Sequence, residues 1–70
     1  DYTKLKRYRN FLGIKLYEVS QKTGISTAMI NDLENGKVKA IKNFEKREKL
    51  ERYIENLKKR FIKKLSKMDI

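Results

Sequence analysis

The amino-acid sequence predicts an all-α fold, and three observations support that prediction. Apolar residues recur at spacings of three and four, which is the pattern of helices that bury one face. The three glycines, Gly13, Gly24 and Gly36, each lie where one such pattern ends, as is typical of the residue just past a helix. No segment alternates apolar and polar residues as a half-buried strand would. We therefore expect short helices followed by one long, basic helix.

The first three helices are predicted from the glycines and the apolar stripes between them. The first starts near Thr3, a candidate N-cap, the second near Lys15, and the third after Ser26, another candidate N-cap. The core-facing residues are expected to be Leu5, Tyr8 and Leu12 in the first helix, Leu16, Val19 and Ser20 in the second, and Ile30 and Leu33 in the third.

Residues 43–68 are expected to form a C-terminal helical extension after a linker over 37–43. Asn43 is a candidate N-cap, and the apolar positions that follow advance by the α-helical period. A helix over 44–66 would be roughly 34 Å long, and a break near Asn56 into two helices is the alternative. Its carboxylates alternate with basic residues, which indicates exposed i, i+4 ion pairs rather than catalytic acids. These pairs are Glu45–Lys49, Glu48–Arg52 and Glu55–Lys59.

The composition limits the functions that the chain can have. Its 70 residues are expected to form a single domain over 1–70. The chain has no cysteine and no histidine, which excludes disulfides, thiolate or imidazole metal ligands and Ser-His-Asp catalysis. No glycine-rich phosphate loop is present, and no apolar run approaches the roughly 20 residues that cross a bilayer. We expect a cytoplasmic protein that is not an enzyme and uses no metal, cofactor, small-molecule substrate or membrane.

Residues 21–36 are the most informative segment, and they belong to an expected helix-turn-helix core over 15–36. They have the pattern of a helix, a tight turn on Gly24 and a second helix closed by Asn35 and Gly36, which is typical of a helix-turn-helix. The second helix of that motif, here 26–35, enters a DNA major groove. The net charge of +10 also indicates a polyanionic partner. That charge is uneven, since residues 1–36 carry six basic and four acidic residues (+2), and residues 37–70 carry thirteen and five (+8).

From about Leu5 to Lys37 the sequence resembles the Cro and phage-repressor type of helix-turn-helix, also called XRE-like. The resemblance implies a small lambda-repressor-like domain of four to five helices. It also implies a structural ion pair between Arg9 and Glu34, which would join the first helix to the end of the third. The matching positions are Leu16, Val19, Ser20, Thr23, Gly24, Ile25, Ile30, Leu33 and Glu34-Asn35-Gly36-Lys37.

The same resemblance implies two sets of DNA contacts. The base-reading residues are expected to be Thr27, Ala28, Asn31 and Asp32. The backbone-binding residues are expected to be Lys15, Leu16, Tyr17, Ser26, Asn35, Lys37 and Lys39. Leu16 departs from the family, because many phage repressors have a phosphate-binding Gln there. The reading helix contains no Arg, Lys or Gln, and Asp32 and Glu34 repel phosphates, so lysines outside this helix are expected to supply much of the affinity.

Three roles are open for the C-terminal helix. It can complete the core, bind a second chain through an apolar seam, or bind anions through the basic residues of 58–67. The residues expected to serve the core or the seam are Ile54, Leu57, Phe61 and Leu65, and Met68 would extend the seam to the second chain. We expect core and dimer roles together, because two-fold operators are read by dimers.

These observations predict a sequence-specific binder of double-stranded DNA, a transcriptional regulator of the repressor kind that acts as a homodimer. Two alternatives remain. One is a protein-interaction module that keeps the fold without reading DNA. The other is an RNA or membrane-surface binder that uses its basic helix.

Overall fold

The computed structural model describes residues 2–68 and contains four α-helices within that range. These are α1 (Thr3–Leu12), α2 (Leu16–Thr23), α3 (Thr27–Glu34) and α4 (Phe44–Met68). No strand occurs among these residues, which confirms the all-α class and the long C-terminal helix. The segment 37–43 forms no helix, so the described part of the chain has four helices and not five.

The helix ends follow from local chemistry. Gly13 and Gly24 adopt left-handed backbone conformations with φ of 72° and 73°, which end α1 and α2 without a Cβ clash. The Ser26 hydroxyl accepts a hydrogen bond from the Met29 N–H and caps α3. The expected N-cap at Thr3 is wrong. Helix α1 does start at Thr3, but its N-cap is Tyr2, whose carbonyl accepts a hydrogen bond from the Leu5 N–H at 3.1 Å.

The core lies where α1 and α2 each pack against both α3 and α4. Its fully buried side chains come from all four helices, and each stabilises the fold by about 1.5–3 kcal/mol relative to an exposed position. They include Leu5, Val19, Ile30, Leu33, Leu50 and Leu57.

Helix α4 is unbroken over 25 residues, so the alternative of a break near Asn56 is wrong. Its length of roughly 38 Å accounts for most of the 42 Å extent of the molecule, which is 20 Å in the other two directions. Of the three expected ion pairs on α4, only Glu48–Arg52 forms, at 2.6 Å, within the described residues.

Phe61 fixes α4 against α1. Its ring lies 4.9 Å from the Tyr8 ring and 4.8 Å from the Phe11 ring, measured between centroids. One turn later, the Lys64 ammonium group donates to the Phe11 carbonyl, close to the end of α1 at Leu12. The helix then continues past the end of α1.

Leu65 was expected to serve both the core and the dimer seam, and the expected core role is wrong. Its side chain is 42% exposed, because α1 ends at Leu12 and leaves the last turn of α4 at the edge of the bundle. Leu57 and Phe61 are buried, and Ile54 is half-buried.

Candidate nucleic-acid interface

Helix α3 has one buried face and one open face. Ile30, Leu33 and Glu34 point into the protein. The opposite face carries the expected base-reading residues, of which Thr27, Ala28 and Asn31 are exposed and Asp32 is half-buried. The helix is thus held from one side while short polar and methyl-bearing side chains face outward from the other.

The turn between α2 and α3 is held by a side chain whose role the sequence did not reveal. The Thr23 hydroxyl donates to the Val19 carbonyl at 2.8 Å and accepts from the Ile25 N–H at 3.3 Å. Thr23 and Ile25 are both buried. These contacts, together with Gly24, fix the direction in which α3 leaves α2. A Thr directly before the turn glycine was the available signal.

Arg9 and Glu34 form the contact that the resemblance implied. Nε and Nη2 of Arg9 donate to the two carboxylate oxygens of Glu34, each at 2.9 Å, and Nη1 donates to the Ile14 carbonyl. The hydrogen bond to Glu34 raises the pKa of Arg9 above its ordinary value, so the guanidinium stays charged. Glu34 is buried, and the positive charge of Arg9 compensates its negative charge. The expected repulsion between Glu34 and phosphate is therefore wrong. Asp32 remains the unpaired acidic side chain on α3.

The segment after α3 folds back on the end of that helix. The N–H groups of Lys37 and Val38 both donate to the Asp32 carbonyl, at 2.9 and 3.3 Å. The Asn35 amide donates to the Asn31 side-chain oxygen at 3.3 Å, which links an expected base-reading residue to an expected backbone-binding one. Lys37 and Lys39 are exposed beside this end of α3.

The start of α2 differs from the expected phosphate site. The Lys15 N–H donates to the Glu18 carboxylate at 2.7 Å, so this amide already has an anionic partner. Tyr17 is exposed and Leu16 is half-buried against the core. Burial raises the pKa of Tyr53 on α4, and the Glu18 charge nearby raises this pKa further. Glu18 was not among the candidate residues, although an acidic residue at the third position of a helix is a known capping signal.

The comparison with protein families decides the identity of this fold. The family model described as helix-turn-helix, of the Cro and phage-repressor type, matches residues 5–61, which is most of the chain. The chain belongs to this family. Its members are DNA-binding regulatory domains, so this Cro-type domain is a binder of double-stranded DNA in transcription regulation. No curated protein and no solved structure matches the chain.

The family match ends within α4. It covers the core of this Cro-type domain from Leu5 to Phe61 and ends before the exposed apolar residues Ile62, Leu65 and Met68. Between Tyr2 and Met68, no helix combines the length and the apolar character that a membrane span requires. The last turns of α4 are thus the part of the described chain that the family resemblance explains least.

Proposed function

We propose that this chain is the sequence-specific DNA-binding domain of a transcriptional repressor in the cytoplasm. The observation that carries the proposal is the division of α3 into two faces. Ile30 and Leu33 fix the helix against the bundle, and Thr27, Ala28 and Asn31 are left open on the face that would enter the major groove.

The open face of α3 suits a modest base readout. The methyl groups of Thr27 and Ala28 can contact thymine methyls, Asn31 can bind adenine, and Asp32 can accept from the N4 amino group of cytosine. The side-chain oxygen of Asn31 uses one lone pair to accept the hydrogen bond from the Asn35 amide. The second lone pair of this oxygen and the NH₂ group of Asn31 remain for a base.

Phosphate contacts would supply most of the affinity, because α3 has no basic residue. The supporting observation is the exposure of Lys37 and Lys39 next to the end of α3. Each neutralised phosphate adds about 0.9 to the slope of log K against log salt. Five further residues complete the proposed backbone set through side-chain or main-chain groups. They are Lys15, Tyr17, Ser26 and Asn35, with Leu16 limited to its main-chain N–H.

We propose that the domain binds DNA as a homodimer. Leu57 and Phe61 are buried within the protomer, so a seam between two copies would use the more exposed apolar residues of α4. These are Ile54, which is half-buried, and Ile62 and Leu65, which are 54% and 42% exposed. A dimer would place two copies of α3 on the two halves of an operator.

One observation favours a second candidate, a protein-interaction module. Glu18 at the start of α2 and Asp32 on α3 place negative charge where phosphates would approach. A titration of the chain at two salt concentrations separates the candidates, with random duplex, a selected duplex, single-stranded RNA and anionic vesicles as ligands. A preference for one duplex that persists at the higher salt supports the repressor. No affinity for any duplex at low salt supports the interaction module, and preference for RNA or vesicles supports the basic-helix alternative.

A further inference from the structure

An open groove lies beside the turn of the helix-turn-helix, outside the proposed base-reading face. It has a volume of about 710 Å³ and runs between the α2–α3 turn and the linker 38–43. Residues 38–43 of this linker form no helix that would fill the space. Its apolar wall consists of Ile25, Met29, Val38, Ala40 and Ile41.

The apolar wall has a buried floor and an exposed edge. Ile25 and Ile41 are 3% and 7% exposed and belong to the core, so the floor is fixed. Met29 is 37% exposed, and Ala40 is exposed on the other side. The unbranched Met29 side chain can adjust to a bound apolar group.

The charged residues at the groove have a single sign. Lys42 and Lys46 line it, both are exposed, and no acidic residue does so within the described part of the chain. An apolar cleft with a cationic end is complementary to a molecule that has an aliphatic body and an anionic head. Its volume lies in the range of about 300–1,000 Å³ that is typical of small-molecule sites.

We propose that this groove binds a small amphiphilic anion, an aliphatic carboxylate that acts as an effector of DNA binding. The aliphatic part of the ligand would lie on Ile25, Met29 and Ile41. Its carboxylate would pair with Lys42 or Lys46. The binding site itself is independent of the proposed function, whereas the effect on DNA rests on it.

The coupling to DNA follows from two residues that the groove shares with α3. Ser26 caps α3 by accepting from the Met29 N–H at 3.2 Å, and both residues line the groove. A carboxylate paired with Lys42 or Lys46 would cancel positive charge in the groove that opens beside the start of the reading helix, and so remove attraction for phosphates. It therefore weakens DNA binding, and DNA weakens carboxylate binding by the same factor.

Isothermal titration of the full chain with three matched probes, below their micelle concentrations, tests the site. The probes are decanoate, decanol and decyltrimethylammonium. We expect saturable one-to-one binding of decanoate and affinity for the cationic probe that is weaker by roughly tenfold or more. Equal affinity for the anionic and cationic probes, or no saturable decanoate binding, would overturn the proposal.

Matched variants locate the binding. Ala40→Phe fills the groove and should lower decanoate affinity by roughly tenfold, whereas Ala28→Phe adds the same ring on the open face of α3 and should not change it. The double variant Lys42→Gln, Lys46→Gln should weaken decanoate binding more than the double variant Lys59→Gln, Lys63→Gln. The second variant removes the same charge from a part of α4 that does not line the groove. Circular dichroism verifies that each variant is folded. Equal effects within either pair show binding to general surface charge or apolar area, and they overturn the site.

The coupling has its own readout. Decanoate should raise the dissociation constant for duplex DNA in the wild-type chain and leave it unchanged in Ala40→Phe. Decanoate binding with no change in duplex affinity overturns the effector role. A chain that binds decanoate in the groove but no duplex at all contradicts the proposed DNA function and leaves the binding site established.

Discussion

Arg9 and Glu34 form a two-point ion pair that ties α1 to the last turn of α3. Both donor–acceptor distances are 2.9 Å, and the two side chains are 11% and 1% exposed. The guanidinium also holds the Ile14 carbonyl in the loop between α1 and α2. One side chain thus joins α1, this loop and the reading helix, so that the pair sets the position of α3 in the bundle.

Glu34→Ala should destabilise the domain strongly. The substitution leaves the Arg9 guanidinium buried without its partner, which costs about 3 kcal/mol or more. Thermal unfolding should show a clearly lower midpoint. The matched control is Glu48→Ala, which removes the exposed Glu48–Arg52 pair and should cost about 1 kcal/mol or less. Equal shifts of the midpoint in the two variants would refute the structural role of the Arg9–Glu34 pair.

Glu18→Gln should increase DNA affinity. The Gln side chain keeps an oxygen that can accept from the Lys15 N–H, and it removes the negative charge from the start of α2. At low salt the dissociation constant for duplex should fall roughly fivefold, or about 1 kcal/mol. Glu48→Gln changes the net charge equally on the outer surface of α4. If both variants increase affinity equally, only the net charge matters and Glu18 has no local role.

Asn31→Ala and Lys37→Gln should affect DNA binding in different ways. Loss of the Asn31 amide should cost about 1–3 kcal/mol on the preferred duplex and relax the preference at one base pair. Lys37→Gln should weaken all duplexes alike and reduce the salt slope by about 1. Fluorescence anisotropy with the preferred duplex and single-base variants, at several salt concentrations, measures both effects. A uniform loss in Asn31→Ala would remove this residue from the base-reading set.

Phe61→Asp and Leu65→Asp should separate the core from the proposed dimer seam. Phe61 packs on Tyr8 and Phe11, so a carboxylate there should unfold the domain. Leu65 is exposed, so Leu65→Asp should stay folded. Light scattering should then give the mass of a dimer for the wild-type chain and of a monomer for Leu65→Asp. An unchanged mass would mean that Leu65 does not contribute to self-association.

The parts of the fold that the sequence predicted depend on local chemistry. The glycines after α1 and α2, the Ser26 cap and the apolar spacing of Ile30 and Leu33 act over a few residues, so their positions can be predicted from the order of residues alone. The Arg9–Glu34 contact is not local, and it was expected only because the sequence resembles a family.

The features that the sequence did not predict depend on where helices end relative to one another. Leu65 follows the apolar period of α4 perfectly, yet it is exposed because α1 stops at Leu12. The groove beside Ile25 arises from the path of the linker, which has no periodic pattern to interpret. The Glu18 contact with the Lys15 N–H is local, and it was missed although an acidic residue at this position of a helix is a capping signal.

Selection of bound sequences from a pool of random duplexes tests the central claim most directly. The account predicts enrichment of one two-fold symmetric sequence, with half-sites about 10–10.5 base pairs apart, and loss of one conserved base pair per half-site with Asn31→Ala. Enrichment should persist as the salt concentration of the washes is increased. A bound pool that stays random, or one that is the same for the wild-type chain and Asn31→Ala, would contradict base reading by the open face of α3.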